Sequence, residues 1–524
     1  MTTINDLCVA SSFSDDDKLP MWQTANGITR ALPLSVLTAQ FLTNESINQL
    51  AASPTVEKFA AGPDFTPGTT IALTLANSYL SGNNIEVFFD AAFQGPDQYA
   101  LSNNALAFIS PIPVGVQNVY VRGGAARLTD APSDGTVTDA KVANGSKLLN
   151  RIKDTIDVKD FGAVGDGVTD DTAAFSAAFA YARTFKSSNI FIPPGTFVLS
   201  SQLVYNMPSA TAAISLFGSG SDVTELTWAA GAGMVFNFNG NFNSVHIRDM
   251  SITTGTAGIG NPAISLIGPS SPFQPQLPAQ SDITNVTFRG SDGYQMTNYW
   301  STDVLVQCAH NVNCYNTQFV GPSGVGGYGF HVFGTPINPA YPFNFTSCSF
   351  NHRFAGIYIG TQVQGITVNQ CNFTAAVGVG SSYGILSDAT AQASSLVQLS
   401  VTGSQFTVNS AAVFLPVGVT GTNINDNFIF VPPGAFGIDI QGALFTITGN
   451  NIIGQSTSGT TGITIGGQSL GPGVITGNQM NSLGLAVFLG PQSSNVNVQS
   501  NIYGSNTTNV NNGGTGNTVG GGSA

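Results

Sequence analysis

A short motif recurs through the second half of the chain and restricts the folds that this sequence can adopt. It is an Asn-rich, strand-like segment that ends in a large apolar residue, as in Asn285-Val286-Thr287-Phe288. The successive apolar anchors are Phe288, Phe319, Phe350, Phe373, Phe406, Phe428, Ile452, Met480 and Ile502. They are separated by 31, 31, 23, 33, 22, 24, 28 and 22 residues. Such a repeat is typical of a solenoid, whose units bury their apolar faces only against their neighbours.

The spacing of the anchors predicts how the repeats stack. Separations of 22 to 24 residues fit one coil of a β-helix, and the longer ones indicate insertions in the turns. We expect the apolar anchors to stack inside the coils and the Asn side chains to form amide ladders at the tight turns. Cys348 and Cys371 each stand two residues before a Phe, which predicts stacked interior positions for two reduced thiols. With Cys8, Cys308 and Cys314 they form no zinc-binding spacing.

The most specific segment of the chain precedes these repeats. Residues 158–172 are VKDFGAVGDGVTDDT, and an Ala-rich stretch follows as far as Arg183. Phe175 and Phe179 lie four residues apart in that stretch, which predicts a helix with one apolar face. Carboxylates just before it suit the positive end of the helix dipole.

This segment, about 45 residues long, resembles the start of the pectate-lyase-like superfamily as it occurs in phage tailspikes and tail fibres. In those proteins the segment and its short helix cap the open end of a right-handed parallel β-helix. The resemblance implies an all-β solenoid, a homotrimer, and bacterial surface polysaccharide (capsule or lipopolysaccharide) as the partner. It also implies that Asp166, Asp170 and Asp171 belong to a structural cap, so we expect no metal site and no cofactor.

The sequence divides into five predicted regions. Residues 1–45 are a virion attachment segment, because Ser12 to Trp22 resembles the head end of phage tail proteins. Residues 46–130 are a small β head domain with alternating strands such as Ile85 to Phe89. Residues 131–156 are a linker or neck, and residues 157–503 are the parallel β-helix. Residues 504–524 are a low-complexity C-terminal tail.

Composition excludes several functions. The net charge of -13, with only 8% charged residues, leaves too little positive charge to neutralise nucleic acid phosphates or to bind an anionic membrane. No apolar run approaches the ~20 residues that span a bilayer, and the first residues lack the basic and apolar parts of a signal peptide. We therefore expect synthesis in the host cytoplasm, a place in the virion tail, and contact with phage tail or baseplate proteins through residues 1–130. A secreted pectinase is disfavoured.

Candidate catalytic residues are few because the β-helix holds few acids. Polysaccharide hydrolysis uses two carboxylates, and strands stacked ~4.8 Å apart would set their separation. Measured from the preceding Phe anchor, Asp303 and Asp388 share a register about three coils apart. By the same count, Asp292 falls at the same turn as His352 and Arg353, which lie two coils further along the chain. These residues would form one charged patch, in which His352 could act as a general acid or base. A surface salt-bridge patch is the alternative interpretation.

Carbohydrate contacts are predicted in the long coils between about 290 and 360. The candidates are one cation and five aromatic side chains: Arg289, Tyr294, Tyr299, Trp300, Tyr328 and Tyr358. Packing in the core or between subunits would account for the aromatic residues equally well. Two classes of function stay open on the sequence: a depolymerase, whether hydrolase or lyase, and a receptor-binding or structural tail protein without catalysis.

Overall fold

The structure, a computed structural model, describes residues 18–22, 29–33, 55–79, 81–123, 155–230, 233–269, 278–322, 327–351, 354–376, 380–387, 398–416, 418–466 and 470–520. The chain divides into two compact units, 1–142 and 143–524. In the first, Lys18–Trp22 and Thr29–Pro33 form an antiparallel hairpin. No helix in the described residues is long and apolar enough to cross a membrane.

Residues 55–123 form two small antiparallel sheets around an apolar core. The four-stranded sheet has the order Thr55–Ala60, Asn118–Gly123, Ile85–Phe89, Ala92–Gln94, and the three-stranded sheet the order Ala72–Thr74, Ala105–Phe108, Tyr99–Ser102. A 3₁₀ turn, Gly82–Asn84, leads into one strand. Val87, Leu106, Val119 and Val121 are fully buried between the sheets, as expected from the alternation of apolar residues. The linker predicted at 131–156 lies, up to residue 154, outside the described residues, as does most of the segment 1–45.

The second unit is a right-handed parallel β-helix, which confirms the predicted fold class. Each coil contributes one strand to each of three stacks, here named sheets A, B and C. Sheets A and B join because two long strands, Ser244–Thr254 and Ser281–Gly290, bend from one into the other. Their strands run from Ile156 to Val519, so the solenoid extends past the boundary expected at 503.

The strand bounds follow the repeat. Besides the two shared strands, sheet A contains Ile156–Asp157, Ser187–Phe191, Ala213–Phe217, Val312–Tyr315, Phe343–Thr346, Ile366–Asn369, Leu399–Thr402, Thr420–Asn425, Ala443–Thr448, Leu470–Thr476, Ser494–Gln499 and Thr518–Val519. Sheet B contains Asp166–Asp170, Gly195–Leu199, Thr224–Trp228, Gln318–Val320, Ser349–Asn351, Asn372–Thr374, Gln405–Thr407, Phe428–Val431, Asn451–Gly454, Gln479–Asn481 and Ile502–Gly504. Sheet C contains Leu203–Asn206, Met234–Asn237, Ile264–Ile267, Thr302–Gln307, Tyr328–Phe333, Ala355–Ile359, Tyr383–Ser387, Ala411–Leu415, Phe436–Ile440, Thr461–Ile465, Leu485–Leu489 and Thr508–Asn512. Two short strands outside these sheets, Ala257–Ile259 and Tyr299–Trp300, pair in parallel and are here named the side pair.

A short helix covers the first coil, as predicted. It spans Thr172–Ala182, after a 3₁₀ turn at Val158–Phe161, and buries Phe175 and Phe179 against the core. The Asp171 carboxylate is itself buried and accepts hydrogen bonds from the backbone N–H groups of Val164 and Gly165 at 2.6 and 3.1 Å. The acids of this segment therefore tie the cap together.

Aromatic rings and amides stack along the interior of sheet B. The rings of Phe288, Phe319, Phe350, Phe373 and Phe406 follow one another at centroid distances of 4.5 to 5.4 Å. Two predicted anchors are wrong by one residue. Phe428 and Ile502 point outward at 41% and 49% exposure, and Ile429 and Tyr503 fill the interior instead.

The expected amide ladder runs beside this stack. Asn427, Asn450 and Asn478 each donate from Nδ2 to the side-chain oxygen of the next member, ending at Asn501, at 2.9 to 3.0 Å. Cys348 and Cys371 occupy the equivalent column in earlier coils and are buried, which confirms the positions predicted for them.

The outer face of sheet C differs from the others because it is largely apolar. Leu305, His331, Tyr358, Leu386, Phe414, Asp439, Thr464 and Phe488 succeed one another along it in register. The outer faces of sheets A and B carry mainly Ser, Thr, Asn and Gln.

Candidate carbohydrate-binding site

A charged cluster occupies the outer face of sheet B near the capped end. Parallel pairing places Glu225 beside Ser251, and Ser251 beside Thr287. Two residues along, the same strands bring Thr253 beside Arg289. Because alternate residues of a strand share a face, these side chains all project outward from one patch of the sheet.

Arg289 joins two carboxylates in this patch. Its Nη2 lies 3.0 Å from Oδ1 of Asp222 and 3.6 Å from Oε2 of Glu225. The Arg289 side chain is only 8% exposed, whereas those of Glu225 and Asp222 are 19% and 52% exposed. The guanidinium is thus held rigidly while one carboxylate faces solvent. A preorganised charge loses little entropy when it binds a ligand.

Hydroxyl groups complete the patch. Glu225 Oε1 accepts hydrogen bonds from the hydroxyls of Thr253 at 2.8 Å and Thr227 at 3.2 Å. The hydroxyl of Ser251 donates to Oδ1 of Asp222 at 3.1 Å and accepts from the Asp222 backbone N–H. These bonds fix the positions of both carboxylates. The loop holding Asp222 needs a left-handed backbone there, with φ of 64°, which Asp tolerates better than most residues.

An exposed aromatic ring borders the cluster. Tyr294 is 51% exposed, and the Arg289 guanidinium lies 5.9 Å from the centre of its ring. Its hydroxyl donates to the side-chain oxygen of Gln318 at 3.3 Å. A flat aromatic face beside fixed charges and hydroxyls is the combination that binds a sugar ring, which is apolar on its faces and polar at its rim. The structure therefore brings together two of the predicted contacts, Arg289 and Tyr294.

The two carboxylates are close enough to be a catalytic pair. Since both contact one nitrogen, their nearest oxygens lie at most about 7 Å apart, which does not exceed the separations used by inverting glycosidases. However, a glycosidase requires one carboxyl group to carry a proton, and Arg289 stands between these two as their counter-charge. The geometry therefore suits binding better than acid catalysis.

Asp292 does not pair with these groups and instead organises its own turn. Its Oδ2 accepts hydrogen bonds from the hydroxyl and backbone N–H of Thr297 and from the backbone N–H of Asn298. Burial acts to raise the pKa of Asp292, but these hydrogen bonds outweigh it and hold the pKa below its usual value. An ionised carboxylate with three hydrogen bonds on one of its oxygens is a poor general acid.

Two predicted site residues are buried, so their predicted roles are wrong. Asp303 is 0% exposed in the sheet C strand Thr302–Gln307. Trp300 is also 0% exposed, packs against Trp228 with ring centroids 5.9 Å apart, and donates from its indole N–H to the carbonyl of Ile252. Neither side chain can contact a polysaccharide. His352, Arg353 and Asp388 lie outside the described residues.

The remaining predicted aromatic residues lie away from the cluster. Tyr328 and Tyr358 stack on each other on the outer face of sheet C, with ring centroids 4.5 Å apart, and both contact the His331 ring. Tyr299 is half-buried in the side pair next to Gly258. These two aromatic candidates therefore belong to the apolar face of sheet C. That position fits the alternative interpretation, in which the aromatic residues pack in the core or between subunits.

The predictions missed Asp222 and Glu225. Asp222 stands 67 residues before Arg289, and two coils separate them. The available signal was the scarcity of acids: Glu225 is the last Glu of the chain, and an isolated acid on a neutral sheet face needs a partner.

Comparisons with known proteins agree with this fold. Residues 155–382 match the family described as rhamnogalacturonase A/epimerase, pectate lyase-like, which confirms the resemblance of the segment at 158–172. A search of the curated proteins finds no match.

Several solved structures match this chain at low sequence identity. The A-module of the Azotobacter vinelandii mannuronan C-5 epimerase AlgE6 is 16% identical, with 70% of this chain and 98% of that chain covered and a TM-score of 0.49. The N-terminal fragment of bacteriophage Phi29 gene product 12 is 16% identical, with 69% and 70% covered and a TM-score of 0.46. Tailspike protein 3 of bacteriophage CBA120 is 14% identical, with 95% and 70% covered and a TM-score of 0.46.

Proposed function

We propose that this chain is a phage tailspike-type receptor-binding protein whose β-helix binds a bacterial surface polysaccharide on sheet B. The observation that carries the proposal is the cluster of Asp222, Glu225 and Arg289 beside the exposed ring of Tyr294. Only 8% of the residues of this chain are charged, so three interlocked ionic side chains on one patch indicate a binding site.

The chemistry of the patch matches a carbohydrate ligand. Carboxylates accept hydrogen bonds from sugar hydroxyls, and the guanidinium donates to ring oxygens or to the carboxylate of an acidic sugar. Tyr294 offers the stacking surface. The hydroxyls of Ser251 and Thr253 are buried beneath the two carboxylates and hold them in position for the ligand.

Cleavage of the bound polysaccharide is the second candidate function. The closeness of Asp222 and Glu225 favours it, whereas the counter-charge of Arg289 favours binding alone. A bound sugar could draw the guanidinium to itself and leave a carboxyl group of the pair able to take up a proton. The predicted lyase chemistry of His352 and Arg353 also remains a proposal.

The test incubates the full chain with purified host surface polysaccharide and follows binding, new reducing ends and unsaturated-uronate absorbance together. Binding without either product supports a receptor-binding protein. Reducing ends alone indicate a hydrolase, and both signals together indicate a lyase. The absence of binding and of both products for every polysaccharide that adsorbs the phage would refute the proposal.

Substitutions locate the activity. We expect Arg289→Ala to weaken binding at least tenfold, since it removes the central charge and strands two carboxylates. Arg122→Ala is the matched control, because that Arg also pairs with a Glu, Glu86, but in the first unit. If the protein cleaves the polysaccharide, Glu225→Gln must abolish the cleavage. Asp303→Asn changes a buried residue, so any loss of activity in that variant must be accompanied by a loss of folding stability.

The outer face of sheet C supports a second part of the proposal, a homotrimer. Leu386, Phe414 and Phe488 are half-buried side chains that project outward along one stripe. Asp439 and Thr464 interrupt the stripe between Phe414 and Phe488, but large apolar side chains clustered on a protein surface mark interfaces. We propose that three β-helices pack through this stripe and that residues 1–130 attach the assembly to the phage tail.

Light scattering of the full chain tests the trimer directly. A mass three times the 54.1 kDa of one chain is expected. Phe414→Glu should release monomers because it places a charge in the interface, whereas Phe428→Glu, on the outer face of sheet B, should not. A wild-type monomer at micromolar concentration would refute the interface.

A further inference from the structure

Sheet A carries a row of polar side chains apart from the sheet B cluster. Ser244 and His246 are two residues apart in the first half of the strand Ser244–Thr254, so both project from the outer face. Asp282, in the next coil, lies directly beside His246 in the parallel register. Thirty-six residues separate that pair in sequence, which is why the row is not visible in the chain as a motif.

The row has the connectivity of a nucleophile, a base and an orienting acid. Nδ1 of His246 hydrogen-bonds Oδ1 of Asp282, and Nε2 lies 3.3 Å from the hydroxyl oxygen of Ser244. Thr284 donates to the other oxygen of Asp282 at 3.3 Å and so fixes the carboxylate. When Nδ1–H donates to the carboxylate, the lone pair of Nε2 faces the Ser244 hydroxyl. Serine hydrolases on unrelated folds use this same order of contacts.

A fourth side chain indicates that this row has a ligand. Ser215 lies beside His246 in the preceding coil and is 7% exposed. Its hydroxyl oxygen has no hydrogen-bond partner among the described residues. A buried hydroxyl without a partner destabilises the fold, so the Ser215 hydroxyl is expected to donate to a group that binds there. Beside the imidazole, that group would be an oxygen on which negative charge develops.

We propose that Ser244, His246 and Asp282 form a carboxylic-ester hydrolase site that removes small acyl groups from carbohydrate hydroxyls. Ser244 is itself 7% exposed, and its neighbour in register on the preceding coil is the small Ala213, which leaves space beside the hydroxyl for a short acyl chain such as acetyl. The placement of that ester on a bacterial polysaccharide rests on the function proposed above. The ester chemistry does not depend on it.

The reaction is balanced with water as the second substrate. His246 Nε2 takes the Ser244 proton as Oγ bonds to the acyl carbon, with Ser215 donating to the carbonyl oxygen. The ester C–O bond then breaks, and the leaving sugar oxygen takes the proton from Nε2. Water next attacks the acyl-serine, loses a proton to Nε2, and the C–Oγ bond breaks. Ser244 recovers its proton, and the net change is ester and water to carboxylic acid and alcohol.

Covalent labelling tests the nucleophile without any substitution. The full chain is incubated with a fluorophosphonate, which phosphorylates activated serines, and the modified residue is located by peptide mass spectrometry. One equivalent on Ser244 is expected. Absence of label, or label spread over other serines, would overturn the assignment, and because the wild-type protein is used, a variant that fails to fold cannot obscure the result.

Turnover gives a second, independent measurement. We expect release of acetate from 4-nitrophenyl acetate and from an O-acetylated polysaccharide. kcat/KM should fall at least about a hundredfold in Ser244→Ala and His246→Gln. Ser400→Ala is the control, because Ser400 is a half-buried hydroxyl on the same outer face of sheet A and should leave turnover unchanged. Equal turnover in wild type and Ser244→Ala would refute the site.

The aryl ester separates this inference from the function proposed for sheet B. Its hydrolysis requires no polysaccharide, so a protein that cleaves it but binds no polysaccharide would retain the ester site and lose the proposed receptor function. Polysaccharide binding without labelling or aryl-ester turnover would support the receptor function and refute the ester site.

Discussion

Asp439 offers a quantitative test of how the outer face of sheet C responds to pH. This residue is 6% exposed and lies in register between Phe414 and Thr464, and its Oδ1 has no hydrogen-bond partner among the described residues. Burial raises its pKa from 3.8 to about 6, against a smaller lowering by Gln441. A shift of that size corresponds to roughly 3 kcal/mol between the charged and neutral forms.

The raised pKa of Asp439 determines how its contribution to folding stability depends on pH. The pKa is higher in the folded chain than in the unfolded chain, so this contribution is fully present below about pH 4. It is lost as the pH rises through about 6. Asp439→Asn keeps the shape and removes the charge. It should therefore stabilise this coil by up to about 3 kcal/mol at pH 8 and change little at pH 4.

Hydrogen–deuterium exchange of peptides covering Phe436–Ile440 measures this locally. At pH 8 the substitution should slow exchange of these amides by up to about a hundredfold relative to wild type. Asp426→Asn is the control, because Asp426 is exposed on a turn of the same coil. Identical exchange of wild type and Asp439→Asn at pH 8, or an equal difference at pH 4, would show that burial does not govern this carboxyl group.

Three further predictions follow from the interior and the site. Asn450→Ala should lower the free energy of unfolding by at least about 3 kcal/mol, because the buried backbone N–H and one side-chain N–H of Asn427 lose their acceptor and Asn478 loses one donor. The outward Asn451→Ala should cost under about 1 kcal/mol, and equal urea midpoints would contradict the ladder. Phe373→Ala should cost about 3–5 kcal/mol, since its ring stacks on both sides at 4.6 Å, with the exposed Thr374→Ala as control in the same urea titration. Tyr294→Ala should weaken polysaccharide binding about tenfold in calorimetry and Tyr294→Phe much less, and unchanged affinity in the Ala variant would remove the ring from the site.

The interior of the β-helix could be predicted from the sequence because its signal is local. A strand alternates inward and outward residues, so an Asn followed two residues later by an apolar side chain specifies both the ladder and the stack. The errors at Phe428 and Ile502 came from strands in which two large apolar residues adjoin, Phe428 with Ile429 and Ile502 with Tyr503. In such strands the alternation of apolar and polar residues does not determine which of the two apolar residues faces inward.

The sites could not be predicted in the same way because their partners are joined only through register. Asp222 and Arg289 meet across 67 residues, and His246 and Asp282 across 36. The coils between them differ in length, so counting from a Phe anchor misplaces any residue in a turn. Asp303 shows the consequence: its spacing suggested an exposed acid, but it lies in a sheet C strand that buries it.

The Asn ladder also makes the length of the β-helix adjustable in whole steps. Asn427 and Asn450 are 23 residues apart and offer the same donor and acceptor to their neighbours. Deletion of residues 428–450 would bring Asn427 against Asn478 and restore an identical contact, with the body shorter by the ~4.8 Å of one strand spacing. A chain of this kind can therefore become longer or shorter through single in-frame duplications and deletions, while the packing of its interior stays the same.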